Sequence, residues 1–182
     1  MEEAEDVTKY VALLRGVNVG GINLPMAQVA ATLTEAGFAG VRTVLASGNV
    51  LLESPDGPAR VRKRAEAALR DGFGYDAWVL VYRLDELRAI DDAYPFEREV
   101  DGQHSYVTFV SDSAALDELA ALTETAGPAE RIARGPDPLG VIYWQVAKGA
   151  TLDSSIGKTM GKARYKSCTT TRNLRTLTRL LR

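Results

Sequence analysis

The fold is decided by one stretch of the sequence, YVALLRGVNVGGINLP, at Tyr10–Pro25. The apolar run Tyr10–Leu14 is too short for a helix and is bounded by a glycine loop, so it predicts a buried strand. The glycine- and asparagine-rich loop that follows ends at Pro25, which suits the first turn of a helix. Such a loop brings backbone N–H groups close to a ligand, and helix N-termini attract anions. This segment is therefore the first candidate for a binding site.

The residues after this loop predict the rest of a compact α+β unit. Apolar residues recur at helical spacing from Met26 to Leu33, and Gly37 suits the position after the helix. Two short strands then flank the turn residues Ser47-Gly48-Asn49 and predict an antiparallel hairpin. With a second helix and a further strand, the order becomes β-α-β-β-α-β, the split βαβ arrangement of ferredoxin-like folds. The predicted bounds are 41–46 and 50–53 for the hairpin strands, 58–72 for the helix and 77–82 for the last strand.

The second half of the chain predicts the same order again. A short helix over 84–93 leads into strands at 106–110, 130–134 and 141–146, with a helix at 113–125 and a turn at 135–140. We expect Trp78 and Trp144, both in predicted strands, to lie in the core. The chain is thus predicted to hold two ferredoxin-like subdomains in one compact unit, with the first lobe at residues 1–83 and the second at 84–182.

The last residues predict a basic amphipathic helix. Thr170 or Thr171 suits its N-cap, and leucines form an apolar stripe that must be buried on the body or on a partner chain. Arginines, among them Arg172, occupy a separate face. The leucines of the stripe are Leu174, Leu177, Leu180 and Leu181.

Charge is distributed unevenly along the 182 residues. Residues 148–182 carry nine Lys or Arg and one acid, a net +8, whereas the remaining residues carry −10 and the whole chain −2. A basic segment of this kind docks on the acidic body or faces a phosphate-bearing partner. Docking is the more frequent outcome, and a sequence pI of about 5.5 is not that of a typical nucleic-acid binder.

Composition limits the class of protein. Hydrophobic residues make up 46% of the chain and charged residues 25%, as in an ordinary soluble domain. No apolar run approaches the length of a membrane span, and the N-terminus is acidic where a signal peptide would be basic, so we expect a cytoplasmic protein without a membrane partner. The single Cys168 fits a reducing compartment and the single His104 is expected to be structural or exposed, so neither predicts a catalytic group.

Several separated motifs resemble the domain of unknown function 1697 family. They are Tyr10–Gly21, Met26, Gly37-Phe38, Val41-Arg42-Thr43, Ser47–Val50 and Thr170–Asn173, and they span almost the whole chain. The resemblance implies an α+β protein with two ferredoxin-like halves and supplies no activity. Two positions depart from the family pattern: Ile22 replaces a frequent lysine, and Leu174 replaces a frequent aromatic residue.

The split βαβ topology places the loop after the first strand beside the 47–49 turn. If the last helix folds back toward them, Arg15, Lys158 and Arg172 frame an anion pocket. A structural alternative is that the glycines serve turns and that Asn18 and Asn49 satisfy loop backbone. The predicted ligand-binding residues are Arg15, Asn18, Gly20, Gly21, Asn23, Ser47, Asn49, Lys158, Thr171, Arg172 and Asn173.

The glycine spacing is neither the dinucleotide fingerprint nor a Walker A loop, so no NAD or ATP is predicted, and no cofactor or metal is expected. Three functions stay open on the sequence. The first is binding of a small anionic or phosphorylated ligand near residues 15–23. The alternatives are nucleic-acid binding through the basic segment and self-association through the leucine-striped helix. Whether the chain is an enzyme, and its oligomeric state, stay undetermined at this stage.

Overall fold

The computed structural model describes residues 6–18 and 22–182. The chain divides into two units by its internal contacts: one runs to Leu87 and includes Arg179–Arg182, and the other is Arg88–Thr178. Both boundaries fall inside helices. Among the described residues, no helix is long and apolar enough to cross a membrane.

The first unit is a four-stranded antiparallel sheet with the strand order β2-β3-β1-β4. This order, with helices after β1 and β3, is the predicted split βαβ arrangement. Its elements are β1 (Thr8–Leu14), α1 (Met26–Glu35), β2 (Ala39–Thr43), β3 (Asn49–Ser54), α2 (Pro58–Phe73), β4 (Val79–Arg83) and the start of α3 (Leu84–Asp92).

The apolar run of β1 is the centre of this sheet. Residues Tyr10–Leu14 are all at most 1% exposed, and β1 pairs with β3 on one side and β4 on the other. Tyr10, Ala12 and Leu14 pack in the helix-covered core, while Val11 and Leu13 are buried on the opposite face. A strand buried on both faces needs an unbroken apolar run, which is why the pattern is continuous rather than alternating.

A proline and a glycine set the two ends of helix α2. Pro58 lies in its first turn, and Gly74 ends it in the left-handed conformation at φ 65°. Its apolar face, including Val61, Ala65 and Leu69, is buried. Glu66 is also buried and accepts hydrogen bonds from arginines one turn away on each side, Arg62 and Arg70.

The second unit repeats the topology of the first. Its sheet is antiparallel with the order β6-β7-β5-β8, so β5, β6, β7 and β8 take the places of β1, β2, β3 and β4. The predicted duplication is confirmed. The elements are the end of α3, β5 (Gln103–Val110), α4 (Ser113–Ala121) with a short 3-10 turn (Leu122–Glu124), β6 (Glu130–Arg134), β7 (Val141–Ala147), α5 (Ser155–Met160), α6 (Ala163–Lys166), β8 (Thr169–Asn173) and α7 (Leu174–Leu180).

The core of the second unit lies between its sheet and α4. Trp144 is 2% exposed there, as predicted, and its Nε1–H donates to Thr108 Oγ1 at 2.9 Å. Trp78 differs from its prediction, because it precedes β4 and is only half-buried. On the outer face of the same sheet, the Tyr143 hydroxyl donates to the Ile90 carbonyl, which fixes the end of α3.

The prediction that Thr170 or Thr171 caps the last helix is wrong. Residues 169–173 form β8 and pair with β5 from Thr169↔Val110 to Asn173↔Tyr106, so the helix begins only at Leu174. Three consecutive threonines favour a strand, and the topology needs a fourth strand in this unit. Arg172 consequently lies in a strand and is buried, not on a separate helix face.

Three of the four leucines of the predicted stripe are buried, and Leu181, which follows α7, is half-buried. Leu177 is 0% exposed, and Leu174 and Leu180 are also buried. Self-association through this helix stays a prediction.

A substitution at Gly48 tests how tightly the β2–β3 turn packs on the end of β1. A Cβ at Gly48 would lie 2.6 Å from Val17 Cγ2 and 2.8 Å from Leu14 Cβ, at φ 86°. We expect Gly48→Ala to lower the free energy of unfolding by roughly 3 kcal/mol, through backbone strain and overpacking together.

Gly74→Ala is the matched control, because Gly74 has φ 65° but no atom within 4 Å of the added Cβ. It should cost only the backbone strain, roughly 1 kcal/mol. Denaturant unfolding of the two variants measures the difference, and equal losses would contradict the close packing of the turn.

Candidate functional site

The loop after β1 and the β2–β3 turn meet at one end of the first sheet. The Leu14 backbone N–H donates to the Gly48 carbonyl at 2.8 Å, and Asn18 Nδ2 donates to the Ala46 carbonyl at 2.6 Å. The sequence prediction that these two segments are neighbours is confirmed.

Asn18 organises this loop from within. It adopts the left-handed conformation at φ 56°, which asparagine tolerates better than most residues. Its Nδ2 also donates to the Leu24 carbonyl at 3.0 Å, and its Oδ1 accepts the Leu24 N–H at 2.8 Å. Both ends of the amide are therefore used to close the loop, which supports the structural alternative for this residue.

Asn49 and Ser47 serve the turn in the same way. Asn49 is 0% exposed at the start of β3. Its Nδ2 donates to the Val44 carbonyl at 2.8 Å and to Ser47 Oγ at 2.9 Å. These hydrogen bonds lie inside the turn, so the two side chains hold its shape rather than facing a ligand.

A broad groove of about 730 Å³ opens beside the loop and the turn; we call it the α1 groove. Asn23 is exposed on its wall, and the exposed apolar residues Ile22 and Leu45 line it as well. The remaining lining residues are Asn18, Leu24, Pro25, Met26, Thr43 and Ala46. Of the predicted site residues, Gly20 and Gly21 lie outside the described residues.

The N-terminus of α1 opens on this groove. No side chain caps the helix, and no acidic residue lies in its first turn. The N–H groups of Gln28 and Val29 both donate to the Pro25 carbonyl. The N–H groups of Met26 and Ala27 are left without an intrahelical acceptor, as the geometry of a first turn requires.

Arg15 lies at the end of β1 on the same side of the sheet. Its guanidinium carbon is 5.6 Å from the centre of the Trp78 ring, and its backbone N–H donates to the Trp78 carbonyl at 3.2 Å. Arg62 approaches the same ring at 5.7 Å. Trp78 thus fixes Arg15 through a cation–π contact. The sequence did not reveal this neighbour, because β1 and β4 are far apart in the chain.

The predicted residues of the C-terminal segment lie in the second unit, whereas Arg15 lies in the first. Lys158 is exposed in α5, and Thr171 Oγ1 lies 2.8 Å from Thr108 Oγ1 across β5 and β8. Arg172 donates to Thr170 Oγ1 at 2.7 Å and to the Thr171 carbonyl at 3.0 Å, and burial lowers the pKa of its guanidinium to about 10. Asn173 Oδ1 accepts the Arg175 N–H at 3.0 Å.

Part of the basic segment is paired inside the second unit. Arg164 donates to both oxygens of Glu118, at 3.0 and 2.7 Å, and the Tyr165 hydroxyl donates to the same carboxylate at 2.6 Å. These hydrogen bonds hold the pKa of Glu118 below its usual value. By contrast, Lys158, Lys162 and Lys166 are exposed and have no carboxylate within 4 Å in the described part of the chain.

No catalytic constellation emerges from the described residues. They contain no group of three or more His, Cys, Asp or Glu side chains that could hold a metal ion. The His104 ring lies against Tyr106, with 5.7 Å between ring centres. Cys168 is half-buried, and its Sγ faces the carbonyls of Arg164 and Tyr165.

Comparison with known proteins gives a family and a fold. The family model described as protein of unknown function DUF1697 matches residues 7–139. No curated protein sequence matches the chain. The solved structure of the conserved bacterial protein SP0830 from Streptococcus pneumoniae is similar over 96% of this chain and 97% of that one, with a TM-score of 0.76 and 22% sequence identity. At that identity the similarity extends to the fold alone.

The role of Asn18 is testable against its neighbour Asn23. Asn18→Asp replaces the Nδ2 donor with an oxygen that faces the carbonyls of Leu24 and Ala46. We expect it to lower the free energy of unfolding by about 1–3 kcal/mol, because two acceptors lose their donor. Asn23→Asp makes the same change at an exposed position and should alter stability by less than about 0.5 kcal/mol. Equal, small effects in denaturant unfolding would show that Asn18 does not hold the loop.

Proposed function

We propose that this chain, which belongs to the DUF1697 family of proteins of unknown function, binds a small anionic or phosphorylated molecule in the α1 groove. The observation that carries the proposal is the N-terminus of α1, which has no side-chain cap and no first-turn acid and opens on the groove. Backbone N–H groups and the helix dipole together favour a negative charge at such a place.

The duplicated topology supplies an internal comparison. In the second unit, helix α4 follows β5 after only two residues, Ser111 and Asp112. The Asp112 side chain accepts the N–H groups of Ala114 and Ala115, so that helix carries its own carboxylate. In the first unit, eleven residues separate β1 from α1, and none of the described ones, 15–18 and 22–25, caps α1 with its side chain as Asp112 caps α4. The longer loop thus leaves room for an external anion where α4 has an internal one.

Arg15 supports the same proposal through its charge. It follows the buried run Tyr10–Leu14, and the Trp78 contact keeps its guanidinium at the end of the sheet that carries the loop. A held arginine loses less conformational entropy on binding an anion than a mobile one does. We propose that Arg15 attracts the ligand and that the α1 N–H groups orient it.

A matched pair of variants tests the helix terminus. Ala27→Glu adds a carboxylate to the exposed first turn of α1, where it stabilises the helix by about 0.3–1 kcal/mol and competes with an external anion. Ala31→Glu makes the same change one turn further along the exposed face. In a titration with inorganic phosphate followed by backbone amide shifts, we expect Ala27→Glu to weaken binding about tenfold and Ala31→Glu to change it less than about twofold.

Arg15→Gln tests whether the charge of Arg15 contributes to phosphate binding. Its control is Arg83→Gln, at the exposed end of β4. Arg15→Gln should weaken phosphate binding about fivefold and Arg83→Gln should not, because only Arg15 lies at the loop-bearing end. The proposal fails if phosphate shifts no amide among residues 15–18 and 22–28, or if both members of each pair behave alike.

Nucleic-acid binding is the second candidate, favoured by three exposed lysines with no carboxylate of the described residues within 4 Å: Lys158, Lys162 and Lys166. A single-stranded oligonucleotide bound there should lose affinity steeply between about 50 and 200 mM salt, with a slope of about 0.7 per phosphate contact. The triple Lys→Gln variant should abolish that slope while leaving phosphate binding in the α1 groove unchanged. Oligonucleotide binding that the triple variant retains would rule out this surface.

A further inference from the structure

The second unit contains a separate cavity at the end of its sheet where β5 begins and β7 and β8 end; we call it the cationic pocket. Its volume is about 480 Å³, within the range of roughly 300–1,000 Å³ that small-molecule sites occupy. The loop before β5 forms one wall, Lys148 after β7 another, and the start of α7 a third. The Lys148 N–H donates to the Gly102 carbonyl at 2.8 Å, which fixes the second wall to the first.

Charge distinguishes this cavity from the α1 groove. Three cationic side chains line it, Arg98, Lys148 and Arg175, against one carboxylate, Glu99. Arg175 Nε is 4.0 Å from Glu99 Oε1, the limit for an ion pair, and both side chains are largely exposed. Lys148 has no carboxylate within 4 Å in the described part of the chain. Since Arg98 is paired with Asp91 outside the lining and Arg175 approaches Glu99, the excess positive charge of the pocket is that of Lys148.

One of the three cations is held in place. Arg98 Nη1 is 3.2 Å from Asp91 Oδ1, and its guanidinium carbon is 5.6 Å from the Tyr94 ring. This arginine is restrained in the wall, whereas Lys148 and Arg175 have the freedom to close on a ligand. Held and adaptable cations together suit an anionic group with several oxygens.

The other lining residues indicate the chemical character of the rest of the ligand. His104 and Ser105 carry polar groups on β5, and Val100 and Leu174 supply apolar surface. An inorganic ion would leave this apolar surface uncovered, and the cationic lining repels a metal ion. The chemistry therefore fits a small organic molecule with a phosphate group at one end.

We propose that the cationic pocket binds a small phosphate monoester, with Lys148 and Arg175 on the phosphate and Val100 and Leu174 against the organic part. The site goes beyond the proposed function, because it is in the other unit and depends on side-chain charge rather than on a helix terminus.

The test uses the full chain and three probes: inorganic phosphate, phenyl phosphate and phenol. Amide shifts follow binding, and those of residues 102–105, 148 and 173–175 report this pocket, whereas those of residues 22–28 report the α1 groove. We expect phenyl phosphate to shift the pocket amides with an affinity about fivefold higher than that of inorganic phosphate, and phenol to leave them unshifted.

Charge variants then identify the residues. Lys148→Gln should weaken phenyl phosphate binding at the pocket about tenfold, and Lys166→Gln, an exposed lysine of the same unit, less than about twofold. Glu99→Gln should strengthen binding about threefold, because it removes the only carboxylate of the lining and releases Arg175.

Three results would overturn the proposal. They are an absence of pocket shifts with phenyl phosphate, equal effects of Lys148→Gln and Lys166→Gln, and a weakening by Glu99→Gln. Shifts that appear at residues 22–28 alone would overturn the pocket and leave the proposed function standing. Shifts at the pocket alone would support the cationic pocket and overturn the proposed function of the α1 groove.

Discussion

The burial of β1 on both faces is the constraint from which the first unit follows. Tyr10, Ala12 and Leu14 face the helix-covered core, and Val11 and Leu13 are 0% exposed on the other side. The same strand is central in the sheet, because it pairs with β3 along one edge and with β4 along the other. The chain then reaches solvent only at Arg15, where the loop begins. The hairpin turn can approach that point because residue 48 is a glycine, and the loop closes over it through Asn18.

The sequence predicts an element correctly where the local residue pattern and the position of the element in the fold indicate the same secondary structure. The β1 run, the α1 periodicity and the Ser47-Gly48-Asn49 turn each have a local signal, and the split βαβ order accommodates all three. Residues 169–173 had conflicting signals, because threonine both caps helices and forms strands, and a leucine-striped helix follows directly. The number of strands decides between the two: a second split βαβ unit with only β5, β6 and β7 would be incomplete. The sequence predicted Trp78 to lie inside a strand, whereas β4 begins one residue after it.

The sequence predicted that the loop after β1 and the β2–β3 turn are neighbours, but not how their side chains are used. Asn18, Ser47 and Asn49 have the residue types of a binding loop, yet their amide and hydroxyl groups are committed to carbonyls and to one another. Sequence cannot distinguish these two uses, because a loop that must satisfy its own backbone selects the same residues as a loop that binds a ligand. The groups left for a ligand are backbone N–H groups at Met26 and Ala27, which have no signature in residue type. The contact between Arg15 and Trp78 also depends on the pairing of β1 with β4, which only the fold creates.

The duplication explains why the two proposed sites differ in kind. In the first unit, the proposed anion site is at the end of the sheet where β1 ends, beside the N-terminus of the helix that follows β1. In the second unit, the Asp112 carboxylate caps the N-terminus of the equivalent helix, α4. The N–H groups of its first turn therefore already have an anionic partner. The excess of positive charge instead lies at the opposite end, where β5 begins and where Lys148 and Arg175 come from elements after β7 and β8. The two proposed sites thus depend on different features of one topology, backbone N–H groups in the first unit and side-chain charge in the second. Because the two proposed sites share no residue, we expect a substitution that removes one of them to leave the other unchanged.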